Sequence, residues 1–342
     1  GDVQFADHLE RLAFNALPAQ LTDDFMNRQY FQQANQVMLT RHIHNFDINH
    51  VETDVVFGLL TGYPCCTSNF HQGWPKFMQN LWYATADSGL AALVYAPSEV
   101  VAKVGNGISV KVRETTFYPM NDIVNFDLEI LGNETVAFPF HLRIPEWCDS
   151  ADIEINGTFY ETVKGNAIKI IKRTWKSGDR IQLKFAMQVA ISTWHENSVA
   201  VERGPLVYAL KIGEKWVKKS VKDDPKRFGS YYYEVLPITK WNYGLVDFDE
   251  QHPEMAFKVI EHPDKQEVLF PWNIDNAPIE IRAKAKQIPS WKLYNEMAGP
   301  LPYSRTIYGI NTETISEEEI TLIPYGCTTL RITEFPVLRK VK

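Results

Sequence analysis

Asp152-Ile153-Glu154-Ile155-Asn156-Gly157-Thr158 alternates polar and apolar side chains and then meets Asn-Gly. A period of two marks a strand with one buried face. Asn-Gly supplies the two left-handed residues of a type I′ turn, which sends a strand straight back on itself. The stretch therefore reads as a β-hairpin. Working outward, 90–104, 108–118, 123–131 and 136–144 alternate or run apolar between Gly and Asn turns, and 167–172, 180–187 and 199–210 continue the pattern. Strands at this spacing predict a β-sandwich. A further group, 256–260, 279–286, 320–324 and 329–335, reads as a second β segment.

The remaining segments are read by contrast. Residues 2–17 place Phe5, Leu9, Leu12, Ala13 and Ala16 at helical spacing before Pro18, so a helix is expected there. A second helix is expected over 74–85, with Pro75 in its first turn, a stripe of Phe77, Met78, Leu81 and Trp82, and Asp87-Ser88-Gly89 closing it. The lysine-rich 211–230 reads as an exposed loop or linker, 231–251 as irregular and aromatic, and the Pro-Gly-rich 298–303 as a long loop. The predicted fold is mainly β with a small helical N-terminal segment.

With 342 residues, 45% of them apolar and 23% charged, the composition is that of an ordinary globular protein. A net charge of −7 argues against nucleic acid or an anionic membrane as partner, and no apolar run approaches the roughly 18 residues of a membrane span. Nine Trp and fifteen Tyr suit sugar stacking, but a β-rich core uses the same residues. The chain opens on Gly1, with Met26 its first methionine and no signal-peptide pattern, and reads as the later part of a longer protein.

Chemistry concentrates in Gly62-Tyr63-Pro64-Cys65-Cys66-Thr67-Ser68-Asn69-Phe70-His71-Gln72-Gly73-Trp74-Pro75-Lys76, which holds two of the four cysteines side by side. Adjacent Cα atoms lie about 3.8 Å apart, below the roughly 4.4–6.8 Å of a relaxed disulfide. The pair is therefore expected to be reduced, on a loop entering a helix near Trp74. Two thiolates on one turn suit a soft metal such as zinc, and a thiolate is also a nucleophile. The plainer alternative is two small buried side chains. His42 and His44 would share one face of a strand, yet with no third ligand they read as solvated or hydrogen-bonded; His50 with Glu52 and Asp54 reads the same way.

This stretch resembles the CC-x-x-N signature of glycoside hydrolase family 127. Four more segments agree in order: Leu142-Arg143-Ile144-Pro145-Glu146-Trp147-Cys148, Trp175-Lys176-Ser177-Gly178-Asp179, Glu202-Arg203-Gly204-Pro205-Leu206-Val207-Tyr208 and Ile323-Pro324-Tyr325-Gly326-Cys327. The resemblance implies the last helices of a catalytic α/α barrel in 1–88, a β-sandwich in 89–215, and a linker with a second β-sandwich in 216–342. It implies retaining hydrolysis of terminal β-L-arabinofuranosides or related plant-type sugars. Cys65 falls on the nucleophile and zinc ligand, Cys66 on a second zinc ligand, and Tyr63 and Asn69 on substrate contacts.

The resemblance also shows departures. The family's zinc glutamate, third cysteine and acid/base glutamate lie upstream of the matching region, and many members carry His where this chain has Tyr63. Cys148 and Cys327 are expected to pack inside β domains. The chain alone is thus expected to hold zinc poorly, to be inactive, and to self-associate or need contact with a missing N-terminal half through Phe5, Leu9, Leu12 and Phe14 with Phe77, Leu81 and Trp82. The alternative is a non-catalytic, β-rich carbohydrate-binding or interaction module.

Overall fold

The computed structural model describes residues 2–44, 51–132, 134–265, 268, 270–304 and 315–338. The protein is mostly β, with helices short and concentrated before residue 80. It divides into two compact units, one of residues 1–13 and 72–188, the other of 14–71 and 189–342. Among the described residues, no helix is long and apolar enough to cross a membrane.

The first unit holds two sheets. Six antiparallel strands run in the order Ser98–Val104, Ile108–Thr116, Ile123–Leu131, Arg180–Phe185, Ser150–Ile155 and Thr158–Lys164. Four strands form the other: Ala167–Lys176, Thr135–Ile144, Leu90–Ala92 and Trp82–Ala84. Alternation along Ile123–Leu131 buries Val124, Phe126, Leu128 and Ile130 on one face. There Phe126 meets Trp82 and Phe140 of the four-stranded sheet, at ring separations of 5.8 and 5.5 Å. The sheets thus pack face to face as the sandwich that the alternation predicts. The founding hairpin is present, and Asn156 (φ 55°) with Gly157 (φ 73°) forms its left-handed turn.

The N-terminal helix runs Val3–Arg11, capped by the Asp2 carboxylate accepting from the Gln4 N–H, and continues as a π-helix over Leu12–Ala16. Glu10 on this helix is fully buried. It pairs with Arg143 at 2.5 Å and accepts from the Tyr118 hydroxyl at 2.5 Å and the Tyr95 N–H at 3.1 Å. Asp7 also pairs with Arg143 and accepts the Glu146 N–H at 2.9 Å. The Leu-Arg-Ile-Pro-Glu-Trp-Cys motif therefore seats a helix on a β-sandwich through a buried ion network.

The helix expected over 74–85 is shorter. It spans Gly73–Gln79, and Trp82–Ala84 is a strand paired with Leu90–Ala92. Thr85-Ala86-Asp87-Ser88-Gly89 closes that hairpin instead of ending a helix: Thr85 Oγ1 accepts the Gly89 N–H at 2.9 Å and Ser88 takes φ 58°. Pairing satisfies the backbone here, and Trp82 gains the sandwich core.

The second unit is built on an eight-stranded sheet. Its strands run Val189–Thr193, Val199–Arg203, Leu206–Leu210, Glu318–Pro324, Ile279–Gln287, Tyr243–Val246 and Val337–Leu338, and Phe257–Glu261 also pairs with Ile279–Gln287. The stretch read as a charged loop is largely ordered hairpin, because Glu214–Ser220 pairs with Tyr231–Pro237. Lys215, Lys218 and Lys219 are exposed, with Lys218 over the Tyr231 ring at 3.8 Å, while Trp216 packs on Phe57 and Tyr233. Residues 231–251 likewise contain two strands rather than irregular chain. Short pieces Leu293–Tyr294 and Met297–Ala298 pair where part of a loop was expected.

Candidate functional site

Arg28 is the residue around which the cysteine turn is arranged. It is 3% exposed, and its backbone exchanges hydrogen bonds with Gly58 at 3.3 and 3.0 Å. Its guanidinium then donates to three points of the turn: Thr61 C=O at 2.5 Å, Tyr63 C=O at 2.9 Å and Thr67 Oγ1 at 2.9 Å. Thr67 in turn donates to Leu59 C=O. Gly62 has φ 62°, and a Cβ there would lie 2.3 Å from Tyr30 Cβ, so the turn needs glycine twice over.

On this scaffold Cys65 and Cys66 are free thiols, the first exposed and the second half-buried. They do not sit on a loop. They open a short helix, Cys65–Asn69, followed by a 3₁₀ turn Phe70–Gln72 before the Gly73–Gln79 helix. Pro64 sets this: its φ of −72° is already helical, and Ser68 N–H reaches back to Pro64 C=O at 3.3 Å. The Asn69 side chain donates to Cys65 C=O at 2.7 Å, closing the same turn. Tyr63 lies on the turn and is 52% exposed. The structure thus brings Tyr63, Cys65, Cys66 and Asn69 onto one turn, with Asn69 bonded to the cysteine backbone.

The electrostatics oppose one another. Burial pushes the Cys66 thiol above its ordinary value, the Arg28 charge pulls it back, and the neighbouring Cys65 adds to the rise. Burial also lowers the Arg28 guanidinium, while the nearby Cys66 and Cys65 charges support it. The Tyr30 phenol is raised by burial first, then by Cys65 and Cys66. A cation behind two thiols favours the ionised sulfur. Sequence alone does not reveal Arg28, because its partners lie 33 to 39 residues away along the chain.

The other candidates resolve separately. His44 is buried, with its ring nitrogens against Asn295 C=O at 3.2 Å and Thr40 C=O at 3.1 Å, and His42 stands edge-on to it at 5.8 Å. The segment around them is not a strand. His50 lies outside the described residues. Cys148 is buried against Ser150 C=O at 2.8 Å, its thiol pushed up to about 11 by burial. Cys327 is buried against Pro271 C=O. Both pack inside β structure as their motifs suggested. Among the described residues, no three His, Cys, Asp or Glu side chains come together as metal donors. Cys65 and Cys66 therefore offer two of the four donors that a closed zinc site takes, and the donor set does not fit zinc unaided.

Residues 89–187 match the family model for the beta-L-arabinofuranosidase GH127 middle domain. No curated protein matches the chain. Among solved structures it is similar to Ara127N-Se, a GH127 beta-L-arabinofuranosidase from Geobacillus stearothermophilus T6, at 20% identity and a TM-score of 0.66, over 98% of this chain and 46% of that one. A GH127 beta-arabinofuranosidase matches at 19% identity and a TM-score of 0.64, over 99% and 48% of the two chains. A structure named only as a glycoside hydrolase matches at 18% and 0.60, over 99% and 49%. The chain spans about half the length of these structures. The likeness first read from its motifs thus appears both in a middle-domain match and in the fold of nearly the whole chain, and the family it resembles is glycoside hydrolase family 127.

Proposed function

We propose that this chain serves a retaining glycoside hydrolase acting on terminal β-L-arabinofuranosides or related plant-type sugars, with Cys65 as nucleophile. The observation that carries the reading is an exposed thiol beside a second thiol, on a turn clamped from behind by the buried Arg28. In the first step the Cys65 sulfur bonds to the anomeric carbon as the glycosidic C–O bond breaks, and the leaving oxygen takes a proton from a general acid. Water, giving a proton back to the conjugate base of that acid, then displaces the sulfur and restores the thiolate, with net retention. A clamped turn fixes the angle of attack, which lowers the entropic part of the barrier. Tyr63, on the exposed side of the same turn, is placed to touch the sugar.

The resemblance implies zinc on Cys65 and Cys66, where it would hold sulfur in the ionised form. Two thiols do not complete that site. We expect the chain alone to retain little zinc and to hydrolyse aryl β-L-arabinofuranoside slowly or not at all. Stoichiometric zinc with brisk turnover would overturn that incompleteness. Incubation with the same aryl glycoside followed by intact-mass and peptide analysis tests the nucleophile itself. One pentosyl group on Cys65, lost in Cys65→Ser, is expected; turnover that survives Cys65→Ser refutes the assignment. We also infer self-association through the apolar groove beside the N-terminal helix.

A further inference from the structure

The second unit contains a cavity of about 420 Å³ whose lining includes Glu214, Trp216, Trp272, Asp23, Asp275 and Thr329. Neither Cys65 nor Cys66 is among its lining residues. Its size is that of a small-molecule site, for which about 300–1,000 Å³ is usual. Both indoles are held by packing from outside. Phe14 stacks on Trp272 at 6.2 Å and 13°, and Phe57 meets Trp216 edge-on at 5.1 Å. Rigid aromatic walls of this kind offer an apolar face to the C–H side of a sugar ring.

The polar groups narrow the ligand. Glu214 lines the cavity with its carboxyl held by the Trp216 and Thr329 side chains and the Leu330 N–H, and its Oε2, with no partner of its own, lies just behind the cavity surface, where a hydroxyl drawn in would relieve the cost. Asp23 accepts from Asn273 at 2.9 Å, and Asp24 from Thr22 at 2.6 Å, so the rim is ordered. Four carboxyl groups in the lining exclude an anion. The lining carboxylates do not converge on a point, and no three donors among the described residues would hold a metal ion. Burial also pushes the Glu214 carboxyl up to about 7, so it is largely protonated below neutrality and can donate as well as accept.

We propose that this cavity is a binding site for a neutral sugar, with Trp216 and Trp272 as its stacking walls and Glu214 as its central hydrogen-bonding group. The site takes a mono- or disaccharide by ring stacking and hydroxyl recognition, whether or not Cys65 is a nucleophile.

Tryptophan fluorescence of the whole chain tests it, titrated with L-arabinose, methyl β-L-arabinofuranoside and D-glucose, and with spermidine and calcium as controls. At least one sugar should give a saturable change with Kd on the order of millimolar. Glu214→Gln, which keeps shape, and Trp272→Phe, which keeps a ring, should each weaken it about tenfold while the melting profile confirms folding. Cys65→Ser should bind as the parent does. The proposal is overturned by the absence of saturation with every sugar, by undiminished binding in both cavity variants, or by saturation with only spermidine or calcium. Loss of sugar binding in Cys65→Ser would move the site to the cysteine turn and equally refute the cavity assignment. A failed pentosyl trap at Cys65 leaves this result untouched, so the two readings fail separately.

Discussion

Arg28 shows how one buried cation can organise a turn from behind. Its three acceptors, Thr61 C=O, Tyr63 C=O and Thr67 Oγ1, bracket Cys65 and Cys66 on both sides. In Arg28→Met the acceptors lose their donor, and each buried orphan costs about 1–3 kcal/mol. The expected loss is about 3 kcal/mol or more in chemical denaturation, with faster alkylation of Cys66 as the turn loosens; a stability change within error would show that the clamp is unimportant. Glu214 gives a second residue-scale expectation, in pH. Its carboxyl is held near 7, above the ordinary carboxylate range, because burial disfavours the charge. The folded chain therefore binds this proton more tightly than the unfolded chain. The associated stability is complete below the unfolded value near 4.3 and is lost as pH rises through 7, amounting to at most roughly 4 kcal/mol. Melting temperatures between pH 5 and 8 should fall more steeply in the parent than in Glu214→Gln. Parallel slopes would mean that Glu214 titrates normally. The reduced thiol pair was legible in the sequence; the short helix it opens was not, since a loop was expected there, nor was the cation behind it, since only tertiary folding brings residue 28 to residue 67.

At the scale of elements, the hairpin at Asn156-Gly157 was legible because its signal is local: period two, then two residues that tolerate positive φ. Gly157→Ala meets no neighbouring atom but forces alanine to φ 73°, so a loss of about 1 kcal/mol is expected. Gly62→Ala combines the same strain with a collision on Tyr30 and should lose clearly more; equal losses in thermal melts would contradict the close approach. Trp82-Tyr83-Ala84 misled because a helical stripe of Phe77, Met78, Leu81 and Trp82 cannot announce a strand partner at Leu90–Ala92. Lys215, Lys218 and Lys219 hid a hairpin for a similar reason: composition spoke of solvent and could not announce the strand partner at Tyr231–Pro237. The helix Val3–Arg11 was legible, but its attachment was not. Glu10→Ala leaves Arg143 buried with Asp7 as its one remaining carboxylate partner among those two, and breaking such a pair costs about 3–5 kcal/mol. Urea unfolding should register that loss, and Glu10→Gln a smaller one.

At the scale of the whole molecule, the question is what the remaining apolar surface does. Of the side chains expected to be left over, Phe14, Phe77 and Leu81 are at most 4% exposed, so the chain covers more of its own apolar surface than periodicity suggests. Phe5 is 72% and Leu12 50% exposed, and Phe5 lines a groove of about 710 Å³ with Leu9, Tyr83, Leu93 and Ile168. Burying one such phenylalanine is worth roughly 1.5–3 kcal/mol, and two copies meeting on this face would each bury theirs. Association should therefore be weak and concentration-dependent. Light scattering across a dilution series should show an average mass above that of one chain at the highest concentrations, returning to it on dilution. Phe5→Ser, at a position already open to water, should keep the fold and move the series toward the single-chain mass. If the parent scatters as one chain throughout, the groove does not drive association; if Phe5→Ser associates as the parent does, another surface carries it.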